Sequence, residues 1–175
     1  MPSNEAVVVV GGSLAGLRSA QSLRREGHTG PLTIVSEEPH WPPYDRPPLS
    51  KQVLVGSLDP ERVRLRVPAD LGADVRTSRR AVGLDLAERA VLLDDGERLT
   101  YGGLVVATGA SPRRIHVTDG LTGVHVLRTI DDSLALRSDL DGAAKVVVVG
   151  AGFIGCEVAS SCRSLGLEVT IVDLL

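Results

Sequence analysis

Aromatic side chains are nearly absent from this chain: one Phe, one Trp and two Tyr make up 2% of its 175 residues. The core therefore has to be assembled from Val, Leu, Ile and Ala. No sign of charge dominates either. Twenty-two acidic side chains against 19 basic ones give a net charge of -3 with the histidines neutral, so there is no basic footprint for a phosphate backbone, and nucleic-acid binding is not expected. The apolar runs last only a handful of residues, far short of a membrane span. No positively charged leader precedes Ala6–Val10, so no export signal is read, and a cytoplasmic, reducing location is expected. Cysteine occurs twice. Cys156 and Cys162 fall on a predicted helix, turned roughly 240° from each other about its axis, and neither has a CxxC or CxxH neighbourhood. They are expected to be small buried thiols, not a disulfide or a metal pair. His28, His40, His116 and His125 lie in turns and loops without zinc spacing, and are read as solvated or turn residues; no metal site is expected.

Glycine is what the chain has in quantity, with 19 residues. Glycine serves where a backbone must turn sharply or approach another group closely, and here it falls at the ends of β-branched runs. Ala6–Val10 runs into Gly11-Gly-Ser-Leu-Ala-Gly16, then into a helical pattern over Leu17–Glu26 closed by Gly27, then into the apolar run Leu32–Val35: strand, glycine turn, helix, strand. The next segment has five prolines between positions 39 and 48. Proline fixes φ and lacks an N–H, so this stretch is predicted to be a rigid surface loop that starts a helix near Ser50. Asp74–Arg76, Ala81–Asp85, Ala90–Leu93 and Arg98–Tyr101 read as a meander of antiparallel strands beside a parallel sheet. Leu104–Ala107 reads as a buried strand stopped by Thr108-Gly109. Asp131 or Asp132 is the predicted cap of a helix that runs to about residue 140.

The opening unit recurs. Lys145-Val-Val-Val-Val-Gly-Ala-Gly-Phe-Ile-Gly155, a helix to Leu165-Gly166 and Val169-Thr-Ile-Val-Asp173 restate it 139 residues later, counted from Gly11 to Gly150. A pyrophosphate site needs a strand leading to a tight turn, backbone bare of side chains, and a helix whose unpaired N–H groups face the negative charge. The second unit has all of these, with Gly150, Gly152 and Gly155 and with Phe153 and Ile154 between them. The first carries Gly11 and Gly16 with Ser13, Leu14 and Ala15 between them. Ser13 stands where the middle glycine belongs, so its hydroxyl either bonds a phosphate oxygen or displaces it slightly. An acid after the second strand should receive the ribose hydroxyls; superposing the repeats sets Asp173 against Ser36, so Glu37 is assigned to the first ribose and Asp173 to the second. A carboxylate at 173 repels a 2′-phosphate, which favours NAD over NADP. Phe153 either packs near the nicotinamide or belongs to the core.

Tyr44-Asp-Arg-Pro-Pro-Leu-Ser-Lys51, Ala107-Thr-Gly109, Leu127-Arg-Thr129 and the GFIGCE segment ending at Glu157 appear in that order. Together they resemble the flavoprotein family with two dinucleotide-binding domains, in its ferredoxin-reductase-like branch, and the resemblance covers all 175 residues. It implies an α/β protein: a Rossmann-like FAD-binding domain with an antiparallel β-meander over residues 1–143, followed at 144–175 by the start of a second, NAD-binding Rossmann-like domain, truncated. It implies electrons passing from NADH through FAD to a small ferredoxin- or rubredoxin-type iron–sulfur protein of an oxygenase or P450 system. The alternatives are a related NADH-dependent flavoprotein with another acceptor, and a nucleotide-binding module without turnover. By the same resemblance Arg46 and Lys51 lie along FAD, Arg113 and Arg128 are flavin-side contacts, Val82 meets the adenine by its backbone, Ala107, Thr108 and Gly109 close over the cofactor, and Glu157 pairs with Lys51 near flavin N5. Glu157 is also expected to begin a helix, where a carboxylate is favourable without any chemistry. Disulfide reductases of this fold carry a redox-active cysteine pair where this chain has its proline segment, so thiol chemistry is not expected.

Overall fold

The computed structural model describes residues 4–173 and divides into two compact units that interleave along the chain: residues up to Tyr44 with Arg64–Ala110, and Asp45–Val63 with the residues from Ser111 onward. The division expected at residue 143 concerns cofactor roles; these units are set by packing.

In the first unit, β1 (Val7–Val10), α1 (Leu14–Arg25) and β2 (Leu32–Val35) form the expected βαβ start, and β3 (Asp74–Arg76) and β7 (Gly103–Val106) extend it to a four-stranded parallel sheet in the order β3-β2-β1-β7. A parallel sheet covered on both faces demands continuous apolar strands, and the valines of β1 divide accordingly. Val7 and Val9 pack with Leu17 and Ala20 of α1, whereas Val8 packs with Val91 and Leu93 on the opposite face. Those last two belong to β5 (Ala90–Leu93), the middle strand of an antiparallel sheet with β4 (Ala81–Asp85) and β6 (Arg98–Thr100).

Four expectations change here. The strand expected to be buried over Leu104–Ala107 is β7, which is half-buried with Val106 exposed. Asp74–Arg76 is not part of the antiparallel meander: it pairs parallel to β2, Thr33 opposite Asp74. Three residues are too few for alternation to reveal direction, and the connection across residues 36–73 is long enough for the crossover that parallel pairing needs. Helix α1 begins at Leu14, not Leu17, because its first turn is exposed and leaves no apolar signal; only Gly16, Leu17 and Ala20 are buried on it. His28 is buried rather than solvated.

In the second unit the prolines do not open onto a regular helix. Pro47–Ser50 makes one 3-10 turn with proline at its first positions, and the chain continues through further turns to Leu58. Leu54 from this stretch enters a core with Leu140 of α2 (Ile130–Leu140), Val148 of β8 (Lys145–Val149), and Val158, Ala159 and Cys162 of α3 (Phe153–Ser164). Strand β9 (Glu168–Val172) pairs parallel to β8, and the valines at 147, 149 and 172 on the face away from α3 are exposed. Cys162 is buried as expected, but Cys156 is exposed, the consequence of the rotation that separates them on α3. Helix α3 starts at Phe153, so Glu157 sits in its second turn and does not begin it. Helix α2 is capped by Thr129, not by either aspartate: Thr129 Oγ1 accepts the Asp132 N–H at 3.1 Å while the Asp132 carboxylate accepts the N–H groups of Thr129 and Arg128 at 2.8 and 2.9 Å. Asp132 is therefore the return half of a capping box. Thr129→Ala is expected to lower stability by about 1 kcal/mol, read as a shift in urea midpoint at unchanged slope.

Candidate functional site

Each unit has its own glycine turn, and the two are built alike. The Gly11 N–H donates to Val35 O at 2.8 Å and the Gly150 N–H to Val172 O at 2.8 Å, so both turns leave the carboxyl end of their first strand while still bonded to the second. Gly11 and Gly150 have φ of +118° and +107°, the left-handed side where a β-carbon is strained. The third glycines, Gly16 and Gly155, serve packing: a β-carbon would lie 1.8 Å from Gly11 O at the first and 1.9 Å from Gly150 O at the second. The middle positions, Ser13 and Gly152, are the extended N-caps of α1 and α3, and neither helix has a side-chain cap bond there. A β-carbon at Gly152 would meet nothing within 4 Å. A helix N-terminus whose N–H groups open onto free space is what a pyrophosphate requires, and the residues present fit a dinucleotide.

Around the first turn, Ala107 is held close: the Ala107 N–H donates to Val10 O at 2.8 Å, and a β-carbon on Gly11 would strike Ala107 O at 2.0 Å. Leu14, Ala15, Thr108 and Gly109 are exposed nearby in sequence. Glu37 follows β2 with an exposed side chain, its Oε1 3.8 Å from Arg80 Nε, whereas the neighbouring Glu38 carboxylate accepts from the Tyr44 hydroxyl. The register of β4 against β5 slips between Ala81 and Gly83, leaving Val82 as a bulge residue without a partner in the ladder. The backbone of such a residue is the part of a strand that can face a ligand. Gly12 was not among the sequence candidates, yet a β-carbon there would meet Ser36 Cβ at 2.5 Å, so both glycines of the pair are needed for the turn to close on β2.

Around the second turn, Asp173 is tied to the turn itself: Oδ2 accepts the Ala151 N–H at 2.9 Å. An open cavity of about 910 Å³ within this unit is lined by Gly152, Phe153, Cys156, Glu157, Lys51 and Ser161 among others. Phe153 is 93% exposed, so the core alternative for it does not hold, and Ile154 is exposed beside it. Lys51 Nζ lies 2.7 Å from Glu157 Oε2 and 3.0 Å from Pro47 O. Lys51, and after it Ser50, hold the Glu157 carboxyl below the usual carboxylate range. Because the folded value is the depressed one, this contribution is complete above the ordinary carboxylate pKa and is lost only when acid takes the pH down through the lower folded value. Arg46 donates to Arg128 O, while Arg113 is exposed in the irregular stretch that follows β7. Ser50 had no signal for a site role in the sequence, where it marked only the expected start of a helix.

Among the described residues no group of three or more His, Cys, Asp or Glu is placed to hold a metal ion, and no helix is long and apolar enough to cross a membrane. The glycines separate by experiment. Gly155→Ala is expected to cost about 2 kcal/mol through the contact with Gly150 O, whereas Gly152→Ala should keep the melting temperature and weaken dinucleotide binding, as read by calorimetric titration.

Residues 5–175 match the family model described as pyridine nucleotide-disulphide oxidoreductase. The chain is 40% identical over 172 residues to the biphenyl dioxygenase system ferredoxin–NAD(+) reductase component of Paraburkholderia xenovorans (97% of this chain, 42% of the relative). It is likewise 40% identical over 175 residues to rhodocoxin reductase of Rhodococcus erythropolis (97% of this chain, 40% of the relative). Among solved structures it is similar to the reductase of a covalent putidaredoxin reductase–putidaredoxin complex, with a TM-score of 0.90 and 34% identity over 97% of this chain and 42% of that one. A ferredoxin reductase from Rhodopseudomonas palustris gives 0.89 and 39% over 96% and 42%. The chain thus spans about two fifths of the length of these relatives. With its doubled strand–glycine turn–helix–strand unit and a family match running through both copies, the chain belongs to the pyridine nucleotide-disulphide oxidoreductase family.

Proposed function

We propose that this chain is the FAD-binding part, with the first βαβ of the NAD-binding part, of a cytoplasmic reductase that takes electrons from NADH and delivers them to a small iron–sulfur protein, a 2Fe-2S ferredoxin or a rubredoxin, of an oxygenase or P450 system. The observation that carries the reading is the pair of matching glycine turns, accompanied in the second unit by a lysine–glutamate pair. In this reading residues 1–143 belong to the FAD domain and 144–175 begin the NAD domain. Relatives named as ferredoxin reductase components of dioxygenase systems support the choice of acceptor.

In the first unit, the N–H groups at the start of α1 receive the FAD pyrophosphate, with Ser13, Leu14, Ala15 and Gly16 lining the turn, Glu37 accepts ribose hydroxyls, the Val82 backbone faces the adenine, and Ala107–Gly109 lie along the cofactor. In the second unit, Arg46, Lys51, Arg113 and Arg128 supply the cationic and hydrogen-bonding contacts on the flavin side. Gly150, Gly152 and Gly155 open α3 toward the NAD pyrophosphate, Asp173 takes its ribose, and Phe153 and Ile154 offer apolar surface to the nicotinamide. Bound flavin supplies hydride acceptance and one-electron release. The chain's share is to position and to set charge: Lys51 presents a cation and Glu157 restrains and partly neutralises it. Neither cysteine takes part, since Cys162 is buried, with burial pushing its thiol up, and no second thiol faces Cys156.

The test is the purified full-length reductase with FAD: a yellow flavin spectrum, bleaching on addition of NADH in stopped flow, and reduction of an added iron–sulfur acceptor. Absence of flavin binding or of bleaching would overturn the reading. Asp173 further implies that kcat/KM for NADH exceeds that for NADPH by about tenfold or more, because a carboxylate faces the 2′-phosphate; equal values would remove the assignment of Asp173.

A further inference from the structure

Ser50 shares the Glu157 carboxylate with Lys51 and is more deeply placed than either of these two groups assigned to the flavin side. Its residue is 5% exposed, whereas the side chains of Lys51 and Glu157 are 39% and 35% exposed. Its hydroxyl donates to Glu157 Oε2 at 2.5 Å; the other acceptor in reach, Pro47 O, is 3.4 Å away, so its single proton goes to the carboxylate. Lys51 Nζ reaches the same oxygen at 2.7 Å. Ser50 is itself fixed from below, since its carbonyl accepts the buried Ser161 hydroxyl at 2.7 Å from one turn further along α3. A glutamate has three rotatable bonds and Lys51 has four, so two partly exposed ends cannot hold each other in one place. The donor on a fixed backbone does that.

We propose that Ser50 is a positioning residue, whose buried hydroxyl pins Glu157 Oε2 and through it sets where the Lys51 ammonium stands. The contacts belong to the chain alone, while the consequence for electron transfer rests on the reading of Lys51 and Glu157 as the flavin-side pair. With Pro47 O and Glu157 each taking one Nζ proton, one remains for whatever lies in the cavity. The titratable groups lining that cavity with Glu157 are Lys51 and Cys156.

The measurement is an acid titration of the Glu157 side-chain carboxyl by carbon NMR in protein labelled at glutamate, with no NADH present, so that it reads the chain's own geometry whether or not the enzyme turns over. Ser50→Ala should move the Glu157 midpoint up toward the ordinary carboxylate value, and Ser50→Thr, which keeps a hydroxyl, should restore it. Ser161→Ala, which loosens the backbone under Ser50 but leaves the Ser50 hydroxyl in place, should lower the melting temperature and move the midpoint by less than Ser50→Ala does. If Ser50→Ala does not fold, Ser50→Cys, a weak donor of similar size, takes its place. In the FAD-loaded full-length reductase Ser50→Ala, or Ser50→Cys in its place, should slow NADH-driven flavin bleaching by about threefold to tenfold and shift the acid limb of its pH profile with the midpoint, and Ser50→Thr should restore both. An unmoved midpoint in Ser50→Ala or Ser50→Cys, or an equal move in Ser161→Ala, would overturn the proposal. A moved midpoint in a protein that binds no flavin would keep the positioning role and overturn only the functional reading.

Discussion

Two buried hydroxyls hold the proline segment, and the chemistry proposed for the second unit hangs on that hold. Pro47 and Pro48 have no N–H to give, and a 3-10 turn of four residues leaves the carbonyls at its end without donors of its own. Two neighbouring carbonyls, Leu49 O and Ser50 O, accept the hydroxyls of Ser133 on α2 and Ser161 on α3, each at 2.7 Å and each buried. Left unmade, such a bond costs about 1–3 kcal/mol, so the turn is fixed to both helices by satisfaction of its backbone. Lys51 follows directly and inherits its place from that attachment. Without it, Lys51 and Glu157 would be one more exposed ion pair on two flexible stems.

The glycine turns follow a different logic, in which the same residue type serves two purposes within six positions. Gly16 and Gly155 are closed off by a carbonyl from their own turn, so any side chain there is a packing fault. Gly152 faces open space, and its bareness matters only to something that comes close from outside. Ser13 at the corresponding place has the same extended backbone, which is why the first turn keeps its shape with a serine in the middle. Asp173 joins the two purposes, since it braces the second turn through the Ala151 N–H while standing where a ribose is expected.

Much of the fold was legible because its signals are local. β-Branched runs, glycines at their ends and the near repetition of Leu32–Val35 in Val169–Val172 locate both βαβ units without any tertiary information. The proline segment could be recognised as irregular for the same reason, and Ala81–Asp85 and Ala90–Leu93 as paired strands. What failed to show were features whose cause lies elsewhere in the chain. The direction of β3 depends on the strand it meets, the cap of α2 on a reciprocal bond between Thr129 and Asp132, and the burial of His28 and exposure of Cys156 on which face each presents to its unit.

By itself the sequence determined the two dinucleotide-type units, the irregularity of the proline segment and the identity of the family, because backbone stiffness, side-chain bareness and strand periodicity are properties of neighbours along the chain. The pairing of Lys51 with Glu157, 106 positions away, was implied by the family resemblance, and only the tertiary structure decided that Ser50, Ser133 and Ser161 are the residues whose hydroxyls tie that region together. A serine carries no periodic or compositional signal, and its hydroxyl acquires a role only when folding buries it against a carbonyl or carboxylate that has no other donor.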